Sequence, residues 1–489
     1  MLLPASMTDP ALCATVTAAT MEELRARRDA VKGADLVELR LDGIRTPDVA
    51  GALKDRQLPV IVTCRASWEG GQFRGSEEER QRLLEQALDQ GADWVDLEWQ
   101  GGFGDLIARR NGRNVVLSFH DFDGTPPDLE ARYDAMRTSG AEVVKLAVTT
   151  HTGDDLRRLR RLGSGEGLSV LIGMGQTGVP SRVLPGRFGS AWTYAGEGVA
   201  PGQMSVRRLL ERFRFRRISD RTAVYGVAGS PVGHSLSPAM HNAGLADQGL
   251  DAVYLPFQAA DAKDLFRLAE DLSVRGLSVT APFKEEVLAL SDEIDPLATQ
   301  VGAVNTLRRV GDHWEARNTD VAGFLAPLAR RGALEGTRAT VLGAGGAARG
   351  VAVALVSRGA RVSVCARRAD RAREVATLVG GEAAGFPPEP GSWDLLVNTT
   401  PIGTAPKIDE SPVPASCLVG GGLVYDLIYN PDPTKLMRDA AATGCETIGG
   451  LDMLVAQALD QFAWWFGVRP PADLFHAAAK QELFEEMSA

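Results

Sequence analysis

Cysteine, histidine and positive charge are all in short supply in this sequence, and each shortage excludes something. Five cysteines in 489 residues, without a CxxC pair or a neighbouring histidine, exclude a disulfide framework and a zinc site and fit a reducing compartment. No apolar run approaches the roughly 20 residues needed to cross a bilayer, so a membrane-spanning helix is not expected. Lys and Arg together number 53 against 63 Asp and Glu, a net charge of −10, which argues against broad contact with a phosphate backbone; nucleic acid is not an expected partner. The opening MLLPASMTDP has no basic stretch leading into a long apolar one and does not read as a secretory signal, so the expectation is cytoplasmic.

What is present is an ordinary globular composition, 44% hydrophobic and 24% charged, over a length that calls for more than one core. From the start to about residue 219, eight β-rich runs alternate with helical patterns: LCATVTA, LVELRLD, VIVTCR, DWVDLEW, NVVLSFHDF, VVKLAVT, LSVLIGM and SAWTYAG. Eight strands alternating with helices predict an α/β fold, a (β/α)8 barrel with its site at the C-terminal strand ends. The rhythm changes near Asp220. Beyond it, ATVLGAGGAARGVAVALVSRGARVSVCARR reads as strand, Gly-rich turn, helix, strand, a second α/β region.

Two of the scarce polar residues sit inside apolar runs: His120 in VVLSFHDF and Lys145 in VVKLAV. A buried polar group without a partner costs a few kcal/mol. A poorly hydrated lysine favours the neutral amine that adds to a ketone as a Schiff base, although an ion-paired or snorkelling lysine would look the same. His120 can take and return a proton near neutral pH, and Glu69 in RASWEGG can orient its imidazole. Glu38, Arg40, Arg65, Arg182 and Gln203 recur at the same predicted rim.

ELRLD, RASWEGG, SFHDF, VVKLAV, SRVLPGRFGS and APGQ, in this order, resemble the type I 3-dehydroquinate dehydratases across essentially the whole first half. The resemblance implies that Lys145 forms an imine with the C3 ketone of 3-dehydroquinate. It also implies that His120, paired with Glu69, removes the C2 proton and helps expel the C1 hydroxyl, with Glu38, Arg40, Arg65, Arg182 and Gln203 binding the substrate. One departure is Val199, where the family's pattern has a hydroxyl residue four positions before the final Gln.

In the second half, GAGGAA from Gly343 to Ala348 fits the dinucleotide pattern, with Gly343, Ala344, Gly345, Gly346 and Ala347 forming the turn at a helix N-terminus. The next strand ends at Arg367, where an NAD enzyme often has an acid; with Arg368 and Arg371 this favours the 2′-phosphate of NADP. Ser235, Ser237, Thr280 and Asn305 are candidate substrate contacts, and a lysine facing an aspartate, Lys284 and Asp320, can share proton duty over a carbonyl. Together with NTTPIG, VYDLIYNP and GGLDMLVAQ these motifs resemble shikimate dehydrogenase. The resemblance implies Lys284 and Asp320 as the catalytic pair. Ser235, Ser237, Thr280, Asn305, Asp320 and Gln457 would hold substrate, Tyr429 would lie near it, and Asn398 and Thr399 would border the nicotinamide. His234 and His241 read as structural or rim residues. Ser278, Ala316 and the residues flanking the arginines in ARRADR depart from the family's pattern.

The expectation is therefore an N-terminal barrel at 1–219 fused to a two-domain dehydrogenase: a substrate-binding domain at 220–326, a Rossmann domain at 327–448, and a helical segment at 449–489 that packs back on the substrate domain. Product chemistry links the halves, since dehydration of 3-dehydroquinate yields the 3-dehydroshikimate that NADPH would reduce to shikimate. No metal is expected. The rivals are a Schiff-base barrel of another specificity fused to a quinate/shikimate dehydrogenase, and a non-catalytic sensor of these metabolites.

Overall fold

A computed structural model of the chain describes residues 9–196, 198 and 200–488. In the first half, eight strands form one parallel sheet: β1 Ala11–Thr17, β2 Leu36–Arg40, β3 Val60–Thr63, β4 Trp94–Glu98, β5 Val115–Asp121, β6 Val143–Thr149, β7 Leu168–Met174 and β8 Trp192–Ala195. The hydrogen-bonded order runs from β7 through β6, β5, β4, β3, β2 and β1 to β8. Between β7 and the residues leading into β8 there is one bridge, Ser169 to Ser190. The sheet is thus a nearly closed barrel, as the eight alternating runs predict.

Alternation along each strand decides what fills the barrel, because successive side chains point to opposite faces. Ala11 and Cys13, Trp94, Val170, Ile172 and Met174, and Trp192 and Tyr194 belong to one buried cluster, with the Trp94 and Trp192 rings 5.9 Å apart. The outer helices start where capping chemistry dictates. Ser76 and Glu79 form a reciprocal capping box at Glu77–Asp89, and Thr152 and Asp155 form another at Gly153–Leu162. In the latter helix Leu156, Leu159 and Leu162 are buried, a three-residue spacing that keeps one face on the sheet.

The chain forms two compact units. One runs to His234 and takes in Asp251–Val274; the other comprises Ser235–Leu250 and the residues from Arg275 onward. The change of rhythm near Asp220 is a different partition, because the segment 251–274 and the strand before it count with the barrel. Polar ties within that unit explain this: the Gly153 amide donates to Asp264 Oδ2 at 2.7 Å, Arg157 Nε to Asp271 at 2.7 Å, and Arg187 Nη2 to the Thr222 carbonyl at 2.6 Å. In the same unit β9 (Ala223–Gly229) pairs in parallel with β10 (Ala252–Gln258).

The second unit carries an antiparallel set, β11 Val274–Val279 with β13 Thr306–Val310 and β13 with β14 His313–Arg317, extended by the short β12 Glu293–Ile294 beside β14. It also carries a six-stranded parallel sheet built from β15 Arg338–Leu342, β16 Arg361–Cys365, β17 Glu382–Ala384, β18 Leu395–Asn398, β19 Leu423–Asp426 and β20 Glu446–Ile448. Its order, β17-β16-β15-β18-β19-β20, is that of a doubly wound nucleotide fold, reversing direction between β15 and β18. The helix Gly450–Phe466 returns to pack on Asp320–Leu328, and Ala472–Ser488 packs on Ser237–Asp247. The first contact requires a glycine: a Cβ at Gly323 would stand 2.7 Å from that of Gln457. Among the described residues no helix is long and apolar enough to cross a membrane, and no cluster of His, Cys, Asp and Glu could hold a metal ion.

Candidate active sites

At the C-terminal strand ends of the barrel lies a cavity of about 170 Å³ lined by Thr15, Glu38, Arg40, Arg65, Glu69, His120, Lys145, Arg182, Tyr194 and Gln203, among others. Lys145 is 5% exposed, and its ammonium is not isolated as the apolar run suggests. Nζ lies 3.0 Å from Asp96 Oδ2 and 3.8 Å from Glu38 Oε1, and 4.3 Å from the Tyr194 ring centre. Burial alone would raise the Asp96 carboxyl, but the Arg65 and Lys145 cations hold it well below the usual range, so Asp96 is a fixed anion that aims the lysine.

His120 ends β5 with its backbone amide on Glu69 Oε1 at 3.0 Å. Its Nδ1 stands 3.4 Å from Glu69 Oε2, without the alignment of a hydrogen bond. Burial, reinforced by the Arg65 and Lys145 cations, keeps this imidazole neutral by pulling its pKa well below the usual value. Burial pushes Glu69 up to about 7, against the pull of Arg65. The ring is held as a base beside the lysine, and Phe122 stacks over it at 6.2 Å.

The three arginines at this cavity differ in what they have left to offer. Arg65 donates to Asp96 at 2.8 Å, to Ser118 at 2.8 Å, to Glu69 at 3.1 Å and to Glu98 at 3.2 Å; it neutralises the acids while lining the cavity where a substrate contact is expected of it. Arg40 is held by Asp42 through Nε at 2.8 Å and Nη2 at 2.9 Å. Arg182 is 2% exposed and donates to the Pro201 carbonyl at 3.1 Å. Its Nε has no hydrogen-bond partner, and it forms no ion pair among the described residues. Burial without a counter-ion drags its pKa down to about 10. A buried cation with free donors is a socket for an anion, and a planar guanidinium suits a carboxylate. Gln203 has one amide arm near Thr15 at 3.4 Å and a buried oxygen without a partner.

In the second unit, Lys284 Nζ lies 2.6 Å from Asp320 Oδ2, and Asn305 Nδ2 donates to the other Asp320 oxygen at 2.7 Å. Asn305 is fixed in turn by the Thr319 amide, which donates to its Oδ1 at 2.7 Å. Asp320 opens the helix Asp320–Leu328, where a carboxylate is favoured by the helix dipole. Gln457, from the returning helix, places Oε1 3.5 Å from Asn305 Nδ2. Ser237 is buried, Ser235, Thr280 and Tyr429 are half-buried, and the Ser235 hydroxyl accepts from the Ser237 amide at 3.3 Å. His241 is wholly buried among Phe462, Trp465 and Phe475, and burial lowers its pKa to about 3; it packs the helix interface. His234 is exposed.

The glycine turn leaves β15 as expected. Gly343 has φ +114°, and a Cβ there would meet Thr399 Oγ1 at 2.5 Å. A Cβ at Gly345 or Gly346 would meet nothing within 4 Å, so the start of the helix Gly346–Val356 is open to a phosphate. Arg367 and Arg368 are exposed and form no ion pair among the described residues, whereas Arg371 binds Glu374 at 2.7 Å. Asn398 is fully buried. It donates to Asp426 at 2.9 Å and accepts from Thr400, so it sets the loop after β18 and its side chain faces no open space. Thr399 is half-buried, with its hydroxyl on the Leu342 carbonyl at 2.7 Å.

Comparison with known proteins matches residues 12–220 to the model of type I 3-dehydroquinase. Residues 227–307 match the shikimate dehydrogenase substrate binding domain, and residues 450–480 the shikimate 5′-dehydrogenase C-terminal domain. The bifunctional 3-dehydroquinate dehydratase/shikimate dehydrogenase of Arabidopsis thaliana, a chloroplastic protein, is 33% identical over 95% of this chain and 83% of its own. The chain belongs to the bifunctional 3-dehydroquinate dehydratase/shikimate dehydrogenase family. Its second half is also 40% identical to the NADP(+) shikimate dehydrogenase of a Nostoc species, over 51% of this chain and 92% of that one. A solved shikimate dehydrogenase in complex with NADP+ is 34% identical and has a TM-score of 0.52 over 54% of this chain and 97% of that chain.

Within this bifunctional dehydratase/dehydrogenase framework, the departures fall in definable places. Val199 lies outside the described residues. The Ser278 hydroxyl donates to Gln461 Oε1 at 2.6 Å, and Gln461 Nε2 reaches the Asn305 carbonyl at 3.3 Å and Thr306 at 3.1 Å; Ser278 thus braces Asn305 and the start of β13 through Gln461. Ala316 is buried opposite Leu307 in the β13–β14 ladder. Sequence reasoning passed over Asp96 and Glu98. Their signal was present in DWVDLEW: acids two apart share one face of a strand, and here both are fully buried.

Proposed function

We propose that this chain dehydrates 3-dehydroquinate to 3-dehydroshikimate in its barrel and reduces that product to shikimate in its second half. The domains are taken as the barrel at 1–219, the substrate-binding domain at 220–326, the nucleotide domain at 327–448 and the returning helices at 449–489. In the barrel the Lys145 ammonium, aimed by Asp96, gives a proton to the neutral His120, and the freed amine adds through Nζ to the C3 carbonyl. His120 returns that proton to the hydroxyl that leaves as water, and the protonated imine forms. His120, neutral because it is buried among cations, takes the C2 proton. The electrons move into an enamine, and as they return the C1 hydroxyl leaves as water with the proton His120 carries. Hydrolysis of the imine frees the product and restores the amine. Arg182 and Gln203 bind the substrate, Arg182 through its carboxylate, while Arg65 keeps Asp96, Glu98 and Glu69 in place.

The observation that supports this reading most is that an anion socket and a buried amine, Arg182 and Lys145, face one small cavity with a neutral histidine between acidic and basic neighbours. A sensor would need the socket but not the amine and the base. In the second half, Lys284 and Asp320, 2.6 Å apart, deliver a proton to the carbonyl oxygen as it becomes a hydroxyl; Asn305, Ser235, Ser237, Thr280, Tyr429 and Gln457 position the ring. The open glycine turn and the exposed Arg367 and Arg368 fit NADP, with the turn holding the pyrophosphate and the arginines the 2′-phosphate. When bound there, NADPH supplies the hydride.

The test is a time course with purified protein and 3-dehydroquinate, following the conjugated enone first without cofactor and then with NADPH. The enone appears in the first stage and is consumed in the second, with matching NADPH oxidation. Absence of enone from folded protein refutes the Lys145 chemistry; enone that NADPH never consumes restricts the reading to the barrel.

A further inference from the structure

A second and larger depression lies on the barrel unit outside the catalytic cavity, an open groove of about 1140 Å³ between the segments that follow β2 and β3. Its rim carries Arg45, Arg74 and Arg82, and its walls include Ile44, Pro47, Phe73 and Leu83. The three arginines are exposed. Arg45 and Arg74 form no ion pair among the described residues, and Arg82 Nε donates to a carbonyl, that of Glu78, at 3.1 Å. The acids lining the same groove, Asp42 and Glu79, are already occupied. Asp42 is clasped by Arg40, and Glu79 accepts from the Ser76 amide at 2.9 Å in the capping box. With Asp42 matched by Arg40, the lining carries three arginines against the one remaining acid, Glu79, and so presents an excess of positive charge above an apolar wall.

The wall between groove and cavity is one turn thick. Within residues 65–71, Arg65, Glu69 and Gly70 line the catalytic cavity, while Ser67 and Gly71 line the groove. The turn closes tightly on itself: a Cβ at Gly71 would fall 2.0 Å from the Arg65 carbonyl oxygen. Its far end is pinned by the Gln72 amide, which donates to Asp42 Oδ2 at 3.0 Å, and the same carboxylate holds Arg40 on the cavity side. A ligand seated on Arg74 and Gln72 would pull on the turn that carries Glu69.

The geometry points to a regulatory site in this groove for a small organic dianion with an apolar body, coupled to the dehydratase centre through the 65–72 turn and the Asp42–Arg40 pair. A phosphate monoester and a dicarboxylate share that chemistry, two charges for the arginines and an apolar face for Phe73 and Leu83. The coupling part rests on the reading of the cavity as the dehydratase site; the binding part does not.

The test is calorimetric titration of the full chain at low salt with phenyl phosphate and, separately, benzene-1,3-dicarboxylate, with inorganic phosphate as the head group alone. An aromatic probe binds saturably and more tightly than inorganic phosphate; whichever aromatic probe is tighter identifies the source class. The variant Arg45→Gln/Arg74→Gln weakens binding about tenfold or more, retains the basal dehydration rate, and abolishes the probe's effect on it. If the double variant does not fold, Arg74→Glu on its exposed segment makes the same point. Linkage requires substrate to change the probe's affinity as the probe changes substrate binding. No saturable binding by about 10 mM, or binding abolished by Arg182→Gln, whatever the Arg45/Arg74 variant does, overturns the site, since in the latter case the probe occupies the catalytic cavity. Groove binding that leaves dehydration unchanged overturns the coupling.

Discussion

Replacing Arg80 by Met should loosen the barrel far more than its place in an acidic surface helix suggests. The side chain is wholly buried. Its guanidinium bonds Glu98 and the Cys64 carbonyl on one side and Glu77 on the other, at 2.7 Å. Glu98, itself 0% exposed, also accepts from Arg65 at 3.2 Å and from the Ala66 amide at 3.1 Å. Removing Arg80 leaves a buried carboxylate with less compensation, a defect that costs about 3–5 kcal/mol. Because Arg65 and the amide remain, the lower end, about 3 kcal/mol, is expected, which is roughly a hundredfold in an opening equilibrium. A two-unit chain needs a local readout. The assay is amide hydrogen exchange at Val95 in β4, whose N–H donates to the Asn114 carbonyl at 2.9 Å. Exchange there should accelerate about a hundredfold, and adding Glu98→Gln to Arg80→Met should recover part of the loss because the stranded charge is gone. An acceleration under about fivefold, or a double variant no better than the single one, would refute the reasoning.

The Glu69 carboxyl, raised by burial to about 7 from an ordinary 4.5, binds its proton more tightly folded than unfolded; its contribution to stability is fully present below pH 4.5, declines as pH rises to about 7, and totals about 3 kcal/mol at most. In Glu69→Gln that decline should vanish from barrel unfolding midpoints compared at pH 5 and 8, and identical pH responses would contradict it. Lys145→Ala should abolish dehydration, and with it borohydride-trapped adduct, while reduction of supplied 3-dehydroshikimate continues; Lys284→Ala should do the reverse, with a drop of about 10² or more in reductase kcat. Arg367→Ala should raise the KM for NADPH more than that for NADH, and equal effects would remove the arginine from 2′-phosphate recognition.

The architecture was legible wherever one period dominated. Eight runs gave eight strands, and the glycine turn between β15 and its helix could be read because strand, turn and helix were contiguous in sequence. Lys145 and His120 stood out as polar residues in apolar runs. What surrounds them did not stand out. The alternation of DWVDLEW puts Asp96 and Glu98 on one face of their strand, but it looks the same whether that face meets solvent or a barrel interior. Arg80 in SEEERQR reads as a solvated helix face, and no local pattern announces that its guanidinium turns inward to Glu98. Arg65 shows a related limit: a rim arginine and an arginine surrounded by acids from β4 look alike until strands distant in sequence are side by side. Asn398, which the resemblance places beside the nicotinamide, spends its side-chain amide on Asp426, 28 residues further on, a contact no local pattern announces.

The gap in the barrel ladder gives the substrate a mechanical part to play. Seven adjacent strand pairs are zipped by backbone bonds, whereas β7 and the approach to β8 meet at one bridge supplemented by the Ser190 hydroxyl, which accepts from the Leu171 amide at 2.9 Å. Nearer the mouth the joint is made by loops, with the Gly175 amide on the Pro201 carbonyl at 3.2 Å and Arg182 on the same oxygen. Arg182 lies on one lip of this seam and Gln203 on the other. A carboxylate ligand gripping both would act as a clasp across the weakest line of the cylinder, so the barrel would be at its most rigid while the imine exists and would slacken as product leaves.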